Sequence, residues 1–525
     1  MKSTGGTLRY RRLRAPREHG QALIDPPLAD VAERIQSNIA VLQHDYDFHG
    51  CSWTALRQQA RSEVLDAALQ YSRAYRDVDL PTSHDLPLAL SGHQPQLFHT
   101  GVWFKNFALA SLTERGLATA IHLLIDNDTL VSPSLRVPTG SISEPRLESI
   151  PVDSVGQGVP WEDRQVVDRE LFESFGQRVT DAIQPFVSQP LIQQVWPFAI
   201  EAMRSGENLG ACLSHARHRL EESWGLNTLE LPLSKVCELE SFHRFTRHLL
   251  IELPRLHGIY NDALLEYRRV NRVRSRAHPV PELAASADGW MEAPFWIWQR
   301  GQTRSRLFVR PTDDGIELSD RAQICHRVGD NEPLAILADR GIVIRPRALV
   351  TTMFARLILG DMFFHGIGGA KYDQLTDEII RRFFGCRPPS FLTVTATAQL
   401  PLELPTVTEQ DVTQIDRLLR ELQFHAECHV DVKSSQKVER LVERKRHWIS
   451  TLPPQGSRQQ RHREIVRANN GLQQFVASKR GKLLQKRRKL ADNLRIRRIL
   501  ASREFSFCLF SEETLRPLLL ELSHP

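Results

Sequence analysis

One order of elements occurs twice in this chain, in two stretches far apart, and it restricts the possible folds more than any single motif. The first stretch is "LPLALSGHQPQLFHTGVWFKNFALASLTERGLATAIHLLIDNDT", beginning at Leu86. "LPLALSG" is short and continuously apolar, as a buried strand is, "VWFKNFALASLTERG" has helical spacing and ends at glycine, and "ATAIHLLIDNDT" is a second apolar run. The second stretch reads "GIVIRP" (strand), "RALVTTMFARLIL" (helix), "DMFFHGIGG" (strand into a glycine loop), "KYDQLTDEIIRRFFG" (helix) and "SFLTVTATA" (strand). Strands alternating with helices build a parallel sheet, so the two stretches are expected to close one α/β sheet between them.

The remainder is then segments added to that sheet. Residues 1–85 are expected to form an N-terminal helical segment packed on the core, 86–130 the first half of the sheet, 131–335 an inserted connecting region, and 336–400 the second half. The insertion is rich in Pro, Gly and Ser loops and contains a predicted hairpin around "APFWIWQRGQTRSRLFVRPTDDG". Residues 401–525 are predicted helical. In the long segment from Arg458, residues Ile465, Leu472, Val476, Leu483, Leu490 and Leu494 fall at steps of seven and four, the spacing of a coiled-coil seam interrupted by Lys479, Arg480 and Arg487.

A chain of 525 residues exceeds one ordinary core, which agrees with several domains. No run of about 18 apolar residues occurs and no apolar stretch follows the basic N-terminus, so a cytoplasmic chain without a membrane span is expected. The seven cysteines are scattered, odd in number and without a CxxC pair, which argues against a disulfide framework. Charge is uneven. Lys433–Arg503 holds 21 Lys or Arg against 4 Asp or Glu, a net of +17 in a chain of net +6, so the rest is acidic.

Ligands of parallel sheets collect where strands end and helices begin, because helix N-terminal amides face outward there. The loop after "LPLALSG" is such a junction. His93 and His99 supply donors, Gln94 and Gln96 amides, and Lys105 a positive charge one turn into the helix, a set suited to phosphate or carboxylate. The second junction is "HGIGGAKYD": Gly366, Gly368 and Gly369 permit close backbone approach, with Lys371, Tyr372 and Asp373 beside them. Neither matches GxxxxGK[ST] or GxGxxG. Asp126 and Asp128 end the second strand, where carboxylates could bind an amine, position a hydroxyl or hold Mg2+.

At these residues the chain resembles the bacillithiol synthase family, as a divergent member. "SGHQPQLFHTG" is similar to that family's glycine-glutamine loop after its first strand, "DNDT" to its acidic cluster, and Arg345-Pro346 and "GIGGAKYD" to its later Arg-Pro strand and double-glycine loop. The order of these parts matches over most of the chain. The resemblance implies a Rossmann-like, nucleotidyltransferase-type parallel sheet with an inserted connecting region and a C-terminal helical coiled-coil domain supporting a homodimer. It further implies ligation of cysteine, through its carboxyl group, to an aminosugar amine, with Gly92 and Arg345 joining the binding residues and His93 and His99 standing where related enzymes contact nucleotide phosphates. The family's Gln-Gln is His93-Gln94 here, and Asn127 replaces a histidine of its acidic cluster.

Amide formation from a carboxylate requires activation, for which ATP with Mg2+ is the expected co-substrate; no stable prosthetic group is expected. His93, His99, Lys105 and Lys371 would surround phosphate, and Asp126 or Asp128 would free the attacking amine. His425, Cys428 and His429, and the pair Cys325-His326, lack the spacing of a four-ligand zinc site, so no metal site is assigned. A rival reading is an RNA- or tRNA-binding protein using the basic arm, and a third is a catalytically silent scaffold of the same fold.

Overall fold

The computed structural model describes residues 8, 13–78, 85–130, 133–275, 277–330, 332–451 and 457–524. Its strands are β1 (Gln21–Asp25), β2 (Leu88–His93), β3 (Thr119–Leu124), β4 (Ser134–Gly140), β5 (Pro145–Pro151), β6 (Leu229–Pro232), β7 (Met291–Gln299), β8 (Ser305–Thr312), β9 (Gly315–Ser319), β10 (Cys325–Gly329), β11 (Ile342–Pro346), β12 (Met362–His365) and β13 (Phe391–Thr397). Six of them make a sheet in the order β1-β13-β12-β2-β3-β6, parallel throughout except for β1 at one edge. The fold is mixed α/β with a C-terminal helical region.

The inner strands are apolar without alternation because both faces are covered, and β3, β12 and β13 are buried at every position. Strands β2 and β12 are neighbours, with Leu90 beside Phe363 and Ser91 beside Phe364. From β2 the chain leaves towards β3 on one side; from β12 it leaves towards β13 on the other. The loops after these two strands therefore diverge, and a crevice opens at their carboxyl ends.

The helix Thr100–Glu114 joins β2 to β3. Its Trp103, Phe104, Phe107, Leu109 and Leu112 point in all directions and are all buried, as an all-round apolar helix requires. The helix Ile367–Phe384 joins β12 to β13, buries Ala370, Leu375, Ile379, Ile380 and Phe383, and ends at Gly385 in the left-handed conformation.

Three placements differ from the sequence expectation. The run Ile342–Pro346, expected in the parallel sheet, is β11 of a separate antiparallel sheet ordered β10-β9-β8-β7-β11, where Arg345 lies opposite Trp296. A five-residue apolar run carries no information about which sheet it joins; pairing with β7 decides it. Conversely β1 and β6, from the expected N-terminal segment and insertion, complete the main sheet at its two edges. Strand β6 is only "LELP", with Glu230 buried in its middle, and offers little periodic signal.

The chain divides into two compact units: Met1–Thr139, Leu147–Leu400 and Arg503–Pro525 form one, Gly140–Arg146 and Pro401–Ser502 the other. The third difference is thus that the last segment leaves the helical region. Phe505, Phe507, Cys508, Leu509 and Phe510 are buried in the first unit, where Phe507 packs on Trp103 with ring centroids 4.4 Å apart.

In the second unit the helices Glu409–Phe424, Gln436–Ser450 and Arg458–Leu500 bury a core of Leu422, Ala426, Val438, Val442, Leu472 and Val476. Leu472 and Val476 are two of the six seam positions, and Leu483 packs against the same core. The seam is covered there by helices of its own chain, which explains those apolar positions without a second copy. No helix among the described residues is long and apolar enough to cross a membrane.

Candidate active site

The crevice between the diverging loops is a cavity of about 1020 Å3 within the first unit. Its walls include Gly92, His93, Gln94, His99, Lys105 and Asp128 from the β2 and β3 ends, and Gly366, Gly368, Gly369, Lys371 and Tyr372 from the β12 end. The two junctions read from the sequence face the same space.

The remaining sequence candidates lie elsewhere. Gln96 is exposed and lines a separate recess with Leu97, Leu130 and Trp161. Asp126 is buried and accepts from the backbone N–H of Ser234 at 2.9 Å and from its hydroxyl at 2.5 Å, tying the end of β3 to the end of β6. Burial, followed by the charge of Glu162, raises its pKa to about 7. Asp126 is therefore a structural bond, not a base in the cavity. Arg345 is buried in a two-bond ion pair with Glu162, at 2.9 and 2.7 Å, outside the cavity. Asp373 is fully buried behind the cavity wall.

Histidine roles follow from hydrogen-bond geometry. His99 caps the helix Thr100–Glu114, its Nδ1 accepting from the Gly101 N–H at 3.1 Å. The ring proton is then on Nε2, which faces Glu504 at 3.6 Å. Burial lowers the pKa of His99, and Glu504 opposes that shift. His93 lies with Nδ1 3.2 Å from the Gln94 carbonyl, which can only accept, so Nε2 carries its lone pair. Burial and the nearby Lys105 charge push its pKa down to about 3. His93 is neutral at physiological pH, contrary to the expectation that it brings positive charge to phosphate.

Asp128 is held by Gln94 at 3.1 Å and by Arg304 at 2.6 Å, so it enters the cavity as part of an ion pair. Asn127 is buried and donates to the Pro346 carbonyl at 2.7 Å, joining the end of β3 to β11.

Several lining residues went unread in the sequence. His365, the last residue of β12, donates from Nε2 to Asp373 at 2.8 Å. Asp373 also accepts from Arg356 at 2.5 Å and from the Thr352 hydroxyl at 2.7 Å. Burial alone would raise its pKa, but Arg356 and His365 hold the carboxyl well below the ordinary range. With Nε2 protonated, the lone pair of His365 is on Nδ1, and a Cβ placed on Gly369 would lie 2.5 Å from that atom. The last glycine of "GIGG", Gly369, is thus required by the imidazole behind it. Both partners stood in "HGIGGAKYD", where Asp373 was a candidate and His365 was not; no periodic signal shows that the two meet.

The opposite wall is cationic. Two guanidinium groups lie over the Trp296 ring, Arg304 at 4.4 Å and Arg347 at 4.3 Å from its centroid. Arg347 is nearly buried beside Glu292 at 2.8 Å, and its Nε has no hydrogen-bond partner among the described residues. Arg503, from the returning C-terminal segment, donates to the Thr395 hydroxyl at 2.8 Å and the Ala396 carbonyl at 3.0 Å. It covers the first turn of the helix Thr100–Glu114 so closely that a Cβ on Gly101 would overlap it. No local sequence signal could link residues 503 and 504 to a loop near residue 99.

Among the described residues, His218, Glu221 and Glu230 are close enough to share a metal ion, but both carboxylates are bonded to the guanidinium of Arg217, which occupies the position a cation would take. His425, Cys428 and His429 form no such group. No protein-family model and no curated protein sequence matches this chain significantly.

Proposed function

We propose that this protein is a ligase of the bacillithiol synthase type, with a Rossmann-like, nucleotidyltransferase-type sheet, joining the carboxyl group of an amino acid, cysteine in that family, to the amine of an aminosugar conjugate. The observation that carries the reading is the convergence of the β2 and β12 loops on one cavity of about 1020 Å3, with room for a nucleotide and a second substrate. ATP, as its Mg2+ complex, is the activating co-substrate.

The first step forms a bond from a carboxylate oxygen to a phosphorus of ATP and breaks a phosphoanhydride bond, releasing ADP if the γ-phosphorus is attacked or pyrophosphate if the α-phosphorus is attacked. In the second, the amine attacks the activated carbonyl carbon, the C–O bond to the phosphoryl group breaks, and the amine proton passes to a base. Arg347, Arg503 and Lys371 line the cavity and suit the phosphates, as do the backbone amides that open the helix Ile367–Phe384. His365 suits the base, because Asp373 orients its ring and stabilises the imidazolium that forms. His93, being neutral, suits an uncharged donor or acceptor on the substrate. All seven cysteines are free thiols, which agrees with work in the reducing cytoplasm.

The test is product formation from ATP, cysteine and glucosaminyl malate by the purified protein, followed by mass spectrometry, with other amino acids as comparators. An amide product that disappears in His365→Ala supports the reading. No nucleotide binding at millimolar ATP, together with no product from any amino acid, sinks it.

A second reading has its own observation. On the helix Arg458–Leu500, Arg480, Lys482, Arg488, Lys489 and Arg495 are exposed without an ion-pair partner among the described residues. A row of unneutralised cations suits an RNA backbone, and binding there would weaken steeply with salt.

A further inference from the structure

Lys105 departs from the way buried lysines are normally accommodated. It is 2% exposed, lines the cavity, and its Nζ donates to the Gly92 carbonyl at 2.7 Å. An ammonium has three protons to donate, and among the described residues no second acceptor and no carboxylate meets this one.

The same protein shows what a satisfied buried lysine looks like. In the second unit Lys445, 1% exposed, donates to the Phe424 carbonyl at 2.6 Å, to Asn469 Oδ1 at 2.9 Å and to the carboxylate of Glu427 at 2.5 Å. Lys445 has three acceptors, one of them anionic; Lys105 has one, and it is neutral.

The surroundings of Lys105 sharpen the contrast. The titratable groups around it are His93 on β2, His99 at the cap of its own helix, His122 on β3 and Arg217 on the helix Leu209–Ser223. The carboxylates on that side, Glu221 and Glu230, are both bonded to Arg217. Glu504, the acid of the returning C-terminal segment, faces His99. A buried, unpaired ammonium is strongly disfavoured unless a counter-ion is supplied or the group gives up its proton.

We propose that the floor of the cavity at Lys105 is an oxyanion site completed by the ligand, in which a phosphate or carboxylate group binds the amine and a proton enters with it. Burial and then the charge of Arg217 bring the Lys105 pKa down to about 7, so the free amine is largely neutral above that pH and becomes charged when an anion arrives. Burial and then the Lys105 charge hold the His93 pKa down to about 3, so in the free protein His93 is no source of positive charge there. The site rests on the proposed function only in sharing its cavity; it requires an oxyanion, not a nucleotide.

The experiment is isothermal titration calorimetry of the full chain at pH 6 and pH 8, each in two phosphate-free buffers of different ionisation enthalpy. Inorganic phosphate, ATP and cysteine are titrated separately. The uptake due to Lys105, taken as the parent value minus that of Lys105→Arg, is expected to be about 0.9 proton at pH 8 and about 0.1 at pH 6, with its contribution to affinity falling about tenfold per unit above pH 7. Lys105→Arg is expected to bind with only the protons that the ligand itself exchanges. Lys105→Met is expected to lose tenfold or more in affinity while melting no lower than the parent, since it removes an unpaired amine.

Uptake with phosphate or ATP assigns the floor to a phosphoryl group, and uptake with cysteine alone assigns it to a carboxylate. Phosphate binding with uptake but no nucleotide binding leaves this site standing and counts against the ATP reading. ATP binding without uptake at pH 8, or with Lys105→Met at parent affinity, overturns this inference and leaves the ATP reading intact. Absence of binding by all three anions at both pH values overturns both.

Discussion

His365 donates from Nε2 to Asp373 at 2.8 Å, and that one bond determines which ring nitrogen keeps its lone pair beside the glycine loop. Asp373 is itself fixed by Arg356 and Thr352, so the imidazole is held from behind by a fully buried network.

Asp373→Asn is expected to destabilise the protein by about 3 kcal/mol, because it removes one carboxylate from the buried guanidinium of Arg356 and leaves Asp377 as its one acidic partner among the described residues. Urea denaturation checks this. A loss below about 0.5 kcal/mol would show that the network is not the anchor described.

Gly369→Ala tests the loop without touching a charge. Its Cβ would lie 2.5 Å from His365 Nδ1, so the ring or the first helical turn must shift, at a cost of about 1–3 kcal/mol. Ligand binding in the cavity is expected to fall at least tenfold while the protein remains folded by circular dichroism. Gly366→Ala, where an added Cβ meets nothing within 4 Å, is the control and is expected to bind normally.

Stability should fall on acidification before the carboxylates titrate. His93 and His215 have folded-state pKa values of about 3, both through burial, and His248 about 4, against an ordinary 6.5. Their pKa values are depressed, so the unfolded chain binds protons that the folded chain does not. The stability they allow is fully present above pH 6.5 and is lost progressively as pH falls from 6.5 towards 3 to 4. Thermal melts from pH 7.5 to 4.5 check the direction. A melting temperature constant from pH 7 to 5 would contradict the neutral buried state of these rings.

Asp126→Asn separates a structural carboxyl from a catalytic one. Among the described residues the Asp126 carboxyl bonds only Ser234, away from the cavity. The substitution is expected to leave turnover within about threefold of the parent while changing stability by about 1 kcal/mol. A loss of a hundredfold or more in turnover without loss of folding would restore Asp126 as the base.

Leu472→Ala probes the seam. Leu472 is fully buried with Leu422, Val438 and Val442 of its own chain, so truncation is expected to cost about 2–5 kcal/mol in the stability of the helical unit. Sedimentation analysis decides the rest: a change in oligomeric state without a change in stability would mean that the seam faces a second copy.

The alternation of apolar runs with helical spacing was enough to read, from the sequence, four parallel strands and the two helices that join them, because those strands are buried on both faces and the pattern is local. The same reading located both loops of the cavity, since a loop between a buried strand and a helix is local too. The order of the strands was beyond it. That β2 lies beside β12, and that β1 and β6 close the edges, depends on pairings between segments that share no periodic signal.

Individual residues divide in the same way. Lys105, His93 and His99 stood out as polar residues at an apolar junction, but their charge states came from burial and from neighbours on other strands and helices. Asp126 and Asp128 looked equivalent; Ser234 took one away from the cavity and Arg304 held the other within it. Arg503 and Glu504 reach the cavity only because the chain leaves for the helical unit and returns. Local pattern decides which residues form strands, helices and their junctions, whereas long-range packing decides which junction faces which, and therefore which side chains share one low-dielectric space and what charge each carries there.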